Sequence, residues 1–157
     1  TPERDNIKYS ILTNALMLKE FAPRVPYVIR NLNELGVSID GATKDTYEKM
    51  RLGGRWEKIN ENLEYISELK DKHGFKFIMH FVVQKNNYQT IINLGEQYGA
   101  DRVWFSRIQD WNTWGNFSEH NIFSVQHPQH SDYRIQLDKL VKLNSKIVEE
   151  ATLRQLH

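Results

Sequence analysis

Leu35-Gly36-Val37-Ser38-Ile39-Asp40-Gly41-Ala42-Thr43 reads as a strand that ends abruptly and hands the chain to a helix. Leu35, Val37 and Ile39 are the apolar residues of a buried parallel strand. Asp40-Gly41 is a turn pair, because aspartate hydrogen-bonds nearby backbone and glycine tolerates angles that other residues avoid. Thr43 is an N-cap, with Asp45 at the positive end of the helix dipole. Ser38 and Asp40 therefore arrive together at the C-terminal end of a strand, where α/β folds hold their ligands. Arg51 follows in Tyr47-Glu48-Lys49-Met50-Arg51, beyond that helix.

Outward from this stretch, short apolar runs alternate with longer amphipathic ones, the signature of βα units and a parallel sheet. The pattern predicts strands near 7–13, 35–39, 75–84 and 101–107. Between the first two, residues 16–32 hold helical pieces broken by Pro23 and Pro26, since an internal proline removes a donor and clashes with the preceding turn. The helix begun at Thr43 breaks at Gly53-Gly54 and resumes over about 55–73. Ile59, Leu63, Ile66 and Leu69 lie on one face there, and Gly74 is the stop. A third helix is expected over 87–98, closed by Gly99. A polar loop rich in Trp, Asn, His and Ser spans 109–132, and a final helix over 133–157 has Leu137, Leu140, Val141, Ile147, Val148 and Ala151 along one face. About four parallel strands with crossover helices make a partial (β/α) barrel in a single domain, 1–157.

Composition narrows the partners. The chain has 157 residues, 39% hydrophobic and 26% charged, enough to bury a core and too apolar for disorder. A net charge of +1 gives no field that would draw it to nucleic acid or an anionic membrane. No apolar run is long enough to span a bilayer and no secretory leader is evident, so a cytoplasmic location is expected. The chain opens on Thr1-Pro2, which suggests a piece of a larger enzyme. An open half barrel exposes its edge strands, so self-association through those edges is expected.

Strand alternation sorts side chains between two faces. Val37 and Ile39 oppose Ser38 and Asp40; Phe77, Met79, Phe81 and Val83 oppose Ile78, His80, Val82 and Gln84. In the outer strands Tyr9, Ile11 and Thr13 oppose Ser10, Leu12 and Asn14, and Val103 and Phe105 oppose Trp104, Ser106 and Ile108. One face is apolar and packs on helices. The other collects Asn14, Ser38, Asp40, His80, Gln84 and Ser106, a poor core unless a polar ligand satisfies it. Taken singly, these residues have plainer readings. Asp40 before Gly41 can simply cap the next helix, Ser38 can be a small packing residue, Arg51 can pair with Glu48, and His80 can be a hydrogen-bonded interior histidine.

The order and spacing of Thr13-Asn14-Ala15, the Ser38-Ile39-Asp40-Gly41 strand end, Arg51, Phe81-Val82-Val83-Gln84-Lys85-Asn86-Asn87 and Phe105-Ser106-Arg107-Ile108 resemble the middle of a radical S-adenosylmethionine enzyme, of the SPASM or twitch branch. The resemblance runs from about Ile7 to Ile108. It implies that Ser38 contacts S-adenosylmethionine and that Asp40 holds the turn or reaches the ligand's polar edge. Arg51 would address the methionine carboxylate or ribose, Ile108 would pack on adenine, and Asn14 would belong to the same cofactor site. Ala15 stands where the family has glycine, which argues against a positive-φ turn at that position. His80, Gln84 and Trp111 would face a substrate, a small molecule or a peptide.

The family cleaves S-adenosylmethionine reductively at a [4Fe-4S] cluster held by three cysteines, and the 5'-deoxyadenosyl radical abstracts hydrogen from substrate. This chain contains no cysteine. The resemblance therefore implies cluster ligands outside it and a chain inactive alone. The alternative is a cluster-free α/β binding or assembly module. A barrel hydrolase using His80 with Asp40 is a third reading, weakened by the lack of a second carboxylate or histidine at a matching strand end.

Two further groups bear on ligands. His120, His127 and His130 could converge on zinc or nickel, but they lie in a polar loop constrained by Pro128 with no carboxylate partner, and no metal site is assigned. Trp104, Trp111 and Trp114 offer stacking surfaces for a sugar, base or peptide, or simply anchors for the loop.

Overall fold

A computed structural model describes residues 7–85, 87, 91–112 and 115–157. Four strands, β1 (Tyr9–Thr13), β2 (Leu32–Ser38), β3 (Lys76–Val83) and β4 (Arg102–Arg107), form one sheet in the order β1-β2-β3-β4. Every pair is parallel, and each strand lies beside its sequence neighbour. The chain is thus an α/β fold whose crossovers carry α1 (Leu18–Phe21), α2 (Pro26–Arg30), α3 (Lys44–Met50), α4 (Trp56–His73) and α5 (Ile91–Gln97).

The helices share one core. Leu35, Val37, Phe77, Met79, Phe81, Val83, Val103 and Phe105 from the sheet pack with Ile59, Leu63 and Ile66 of α4. The other sheet face carries Ser10, Leu12, Gly36, Ser38, His80, Trp104 and Ser106, and Leu12 there is 63% exposed. The alternation read from the sequence is the one observed; on the mixed face Ser10 and Leu12 are exposed, Ser38, His80, Trp104 and Ser106 are half-buried, and central Ile78 is buried.

Local chemistry sets the element ends. Pro23 sits in a 3-10 turn (Ala22–Arg24) and Pro26 opens α2, which splits the first crossover. Thr43 caps α3 by accepting from the Thr46 N–H at 3.3 Å. Gly74 closes α4 in the left-handed conformation, φ 72°. Asn62, fully buried in mid-α4, accepts the Lys19 N–H at 2.8 Å and donates to the Leu16 and Lys58 carbonyls. It thereby pins the β1–α1 connection to the longest helix.

Four expectations are corrected. β2 begins at Leu32 rather than 35, directly after α2. The third helix spans Ile91–Gln97; Asn87 lies outside it, and residues 88–90 fall outside the described set. Ala15 adopts φ 58° despite its side chain. Thr13 Oγ1 and Asn14 Oδ1 accept the Ala15 and Leu16 N–H groups, and those bonds offset a left-handed cost of roughly 1–2 kcal/mol.

The fourth correction concerns the C-terminal helix. It is two helices, α6 (His130–Leu143) and α7 (Glu150–Arg154), separated at Asn144 with φ 48°. Helical spacing across this stretch aligned Ile147 and Val148 with α6. However, asparagine enters the left-handed region readily, and β4 offers an unpaired edge. The Val103 N–H donates to the Ile147 carbonyl at 2.7 Å, Val148 bridges Val103, and Arg102 pairs with Glu149 at 2.6 Å. The outer edge of β4 is therefore occupied at Val103, whereas β1 has no strand outside it among the described residues.

At the decisive turn, it is Asp40 that takes the left-handed conformation, φ 51°. Gly41 serves closeness instead, because a Cβ there would lie 2.5 Å from the Tyr47 nitrogen and 2.7 Å from its Cα. Backbone cannot yield as a side-chain tip does, so Gly41→Ala is expected to cost about 1–3 kcal/mol. Urea unfolding checks this, and an unchanged midpoint would contradict the tight α3 approach.

Candidate functional site

The C-terminal ends of β2 and β3 meet around Asp40. Its Oδ1 accepts the Val82 N–H at 2.7 Å and its Oδ2 meets Arg51 Nη2 at 2.6 Å. Its backbone carbonyl accepts Asn87 Nδ2 at 3.1 Å, and the same amide group donates to the Val82 carbonyl at 2.8 Å. Asn87 Oδ1 accepts the Gln84 N–H at 3.0 Å. Asn87 is 3% exposed and replaces the ladder bonds that β3 loses as it ends. The residue's run, Gln84-Lys85-Asn86-Asn87, is visible as a strand end, but no periodicity marks Asn87 as a residue that turns inward.

Beside this knot lies a cavity of about 280 Å³ lined by Asp40, Met50, Arg51, Val82, Gln84, Ile108, Gln109 and Trp111. It gathers five of the residues singled out from the sequence: Asp40, Arg51, Gln84, Ile108 and Trp111. Val82 falls on the mixed face that strand alternation assigns it, whereas Met50 and Gln109 were not anticipated, since neither a helix-end methionine nor a loop glutamine carries a signal until the neighbouring strand is placed. Arg51 keeps a buried Nε–H without an acceptor. That group is costly to bury unpaired and is ready for an oxygen acceptor on a ligand.

Ser38, Asn14 and His80 do not line this cavity. Ser38 is half-buried on the open face, in register with His80. Asn14 is exposed and serves its own turn. His80 lies 6.4 Å from Trp104 between ring centroids, at 29°, in a stacked arrangement. A Cβ at Gly36 would sit 2.9 Å from His80 Nε2, so this glycine clears the space the imidazole occupies. The hydrolytic dyad is not formed, because both Asp40 carboxylate oxygens are engaged by Arg51 and Val82 rather than His80.

The loop histidines act as braces. His127 Nε2 meets the Glu119 carbonyl at 3.1 Å while its Nδ1 accepts the Gln129 N–H, and His130 Nδ1 meets the Ile122 carbonyl at 3.0 Å. Trp114 lies outside the described residues, and Trp111 is 72% exposed at the rim of the cavity.

Burial raises the Asp40 carboxyl above its ordinary value, and Arg51, the Val82 N–H and His80 hold that rise back. Burial also lowers the His80 imidazole, against the pull of Glu34 and Asp40. Both effects mark a partly desolvated strand end with few compensating charges.

Fold and site together define an α/β chain with a polar, strand-end cavity beside an uncovered sheet face. No protein-family model matches the chain, and no curated protein matches it in sequence. Among the described residues no helix is long and apolar enough to cross a membrane.

Arg51→Ala leaves a mostly buried carboxylate without its counter-charge. It is expected to lower stability by about 1–3 kcal/mol and to shift the Asp40 titration, followed by carboxyl NMR, to higher pH. His80 holds its proton less tightly folded than unfolded. Its stabilising contribution is fully present above the ordinary histidine value of about 6.5 and is lost as pH falls from there toward the lowered value. His80→Phe should flatten that part of the urea-midpoint profile; an unchanged slope would place His80 in an unperturbed setting.

Proposed function

We propose that this chain is part of the partial (β/α) barrel of a radical S-adenosylmethionine enzyme of the SPASM or twitch branch, and that its strand-end cavity binds S-adenosylmethionine. One observation carries the reading. Arg51 spends one nitrogen on Asp40 and keeps a buried, unsatisfied Nε–H in a cavity that also holds apolar Ile108. A carboxylate or a ribose hydroxyl would satisfy that donor, and Ile108 would take the flat face of adenine.

The sequential order of four parallel strands, with helices sharing one core on one side, supports the barrel reading, since a doubly wound sheet covers both faces. The cavity lies just under the range of roughly 300–1,000 Å³ that encloses a whole ligand. Part of the nucleotide would therefore extend over the open face toward Ser38. Gln84 and Trp111 would close the polar and aromatic sides, and a small-molecule or peptide substrate would approach along His80. S-adenosylmethionine supplies a sulfonium-linked 5'-deoxyadenosyl group. With no cysteine, the residues of this chain do not fit a thiolate-held cluster, and no step is assigned through one. Self-association through the outer edge of β1 belongs to the same reading.

The absence of cysteine favours a second reading, a cluster-free α/β binding or assembly module. Calorimetric titration with S-adenosylmethionine and S-adenosylhomocysteine separates the two. Saturable binding is expected, weakened tenfold or more by Arg51→Ala and less by Ser38→Ala, which lies outside the cavity. Absence of binding by the folded chain, or binding indifferent to Arg51, would overturn the nucleotide site.

A further inference from the structure

A second depression lies at the opposite end of the sheet. Arg30 is the last residue of α2, immediately before β2, and Lys72 and His73 are in the last turn of α4, immediately before β3. These residues therefore stand at the N-terminal ends of the strands, away from Asp40 and Arg51. Between them is a groove of about 340 Å³.

Its floor is apolar. Ala22, Ile29 and Leu69 are buried there, and half-buried Tyr65 forms one wall. Pro23 and Pro26 line another side, and neither has a backbone N–H to present. The rim is basic: Arg30 and Lys72 carry charge there beside His73, and no aspartate or glutamate lines it. None of the three takes part in an ion pair among the described residues. The apolar floor is thus bordered by two cations without ion-pair partners, Arg30 and Lys72, from different helices. Lys72 and His73 also meet the negative end of the α4 dipole, but Arg30 reaches the same rim from another helix.

We propose that this groove docks a peptide segment of a partner protein, an apolar anchor residue flanked by carboxylates. The apolar floor takes the anchor. The cations, standing on two helices with that floor between them, meet acids on either side of it, which suits a spaced peptide better than one compact anion. The proposal is independent of the nucleotide site, and its test uses neither S-adenosylmethionine nor Arg51.

The probes are three acetylated and amidated pentapeptides, EELEE, EEGEE and KKLKK, titrated into the ¹⁵N-labelled full chain by NMR. EELEE should bind saturably, shift the amides of Ala22, Ile29, Tyr65 and Leu69, and weaken as salt is raised. Loss of the leucine in EEGEE should weaken binding roughly tenfold or more, the effect of leaving a leucine side chain in water. The double variant Arg30→Glu with Lys72→Glu changes only exposed side chains. It should lose EELEE by about tenfold and gain KKLKK. Equal binding of EELEE and KKLKK to the unaltered chain, shifts elsewhere on the surface, or no exchange of preference in the double variant would overturn the proposal.

Discussion

The carboxylate of Asp40 is the joint on which the candidate site depends. Its two oxygens tie β2 to β3 through the Val82 N–H and to the end of α3 through Arg51. The backbone at Asp40 is left-handed, at a cost of roughly 1–2 kcal/mol for a non-glycine residue. Two bonds to its carboxylate and one to its carbonyl outweigh that cost, and the conformation is what turns the chain over so that Gly41 can sit against Tyr47. The cavity exists because three separate elements are held to one side chain.

That arrangement also explains why the site is polar without being saturated. Arg51 is held by Asp40 in an orientation that leaves its buried Nε–H without an acceptor. A lysine would offer charge but not a planar fork with one donor fixed and another left over. Along the open face the logic is steric. Gly36 lacks the Cβ that would press on His80, and His80 in turn lies against Trp104. The mixed face is thus a floor of fitted rings and small residues, suited to contact rather than to burial under helices.

Much of this was legible in the sequence because it rests on period and punctuation. Alternating Phe77, Met79, Phe81 and Val83, the prolines at 23 and 26, Thr43 and Gly74 each act within a few residues of themselves. Arg51 and Ile108 line one cavity with Asp40. What sequence could not carry was long-range. Asn87 reaches across 47 positions to Asp40, and nothing local distinguishes it from Asn86. Ala15 takes a backbone angle that its own side chain disfavours because two neighbouring side chains bond the turn. Ile147 and Val148 match a helical face as well as an edge pairing, and only the presence of β4 decides between them.

That last choice gives the sheet two unlike ends. With Ile147 bonded to Val103, and Tyr133 Oη donating to the Leu156 carbonyl to hold the tail in place, the β4 edge is covered at Val103. Among the described residues, β1 has no such cover on its outer side. A sheet with two free edges can be extended copy upon copy into a fibre, whereas one with a single free edge is consumed by its first pairing. The C-terminal segment therefore guards one end of the sheet at Val103, where an incoming strand would have to displace Ile147.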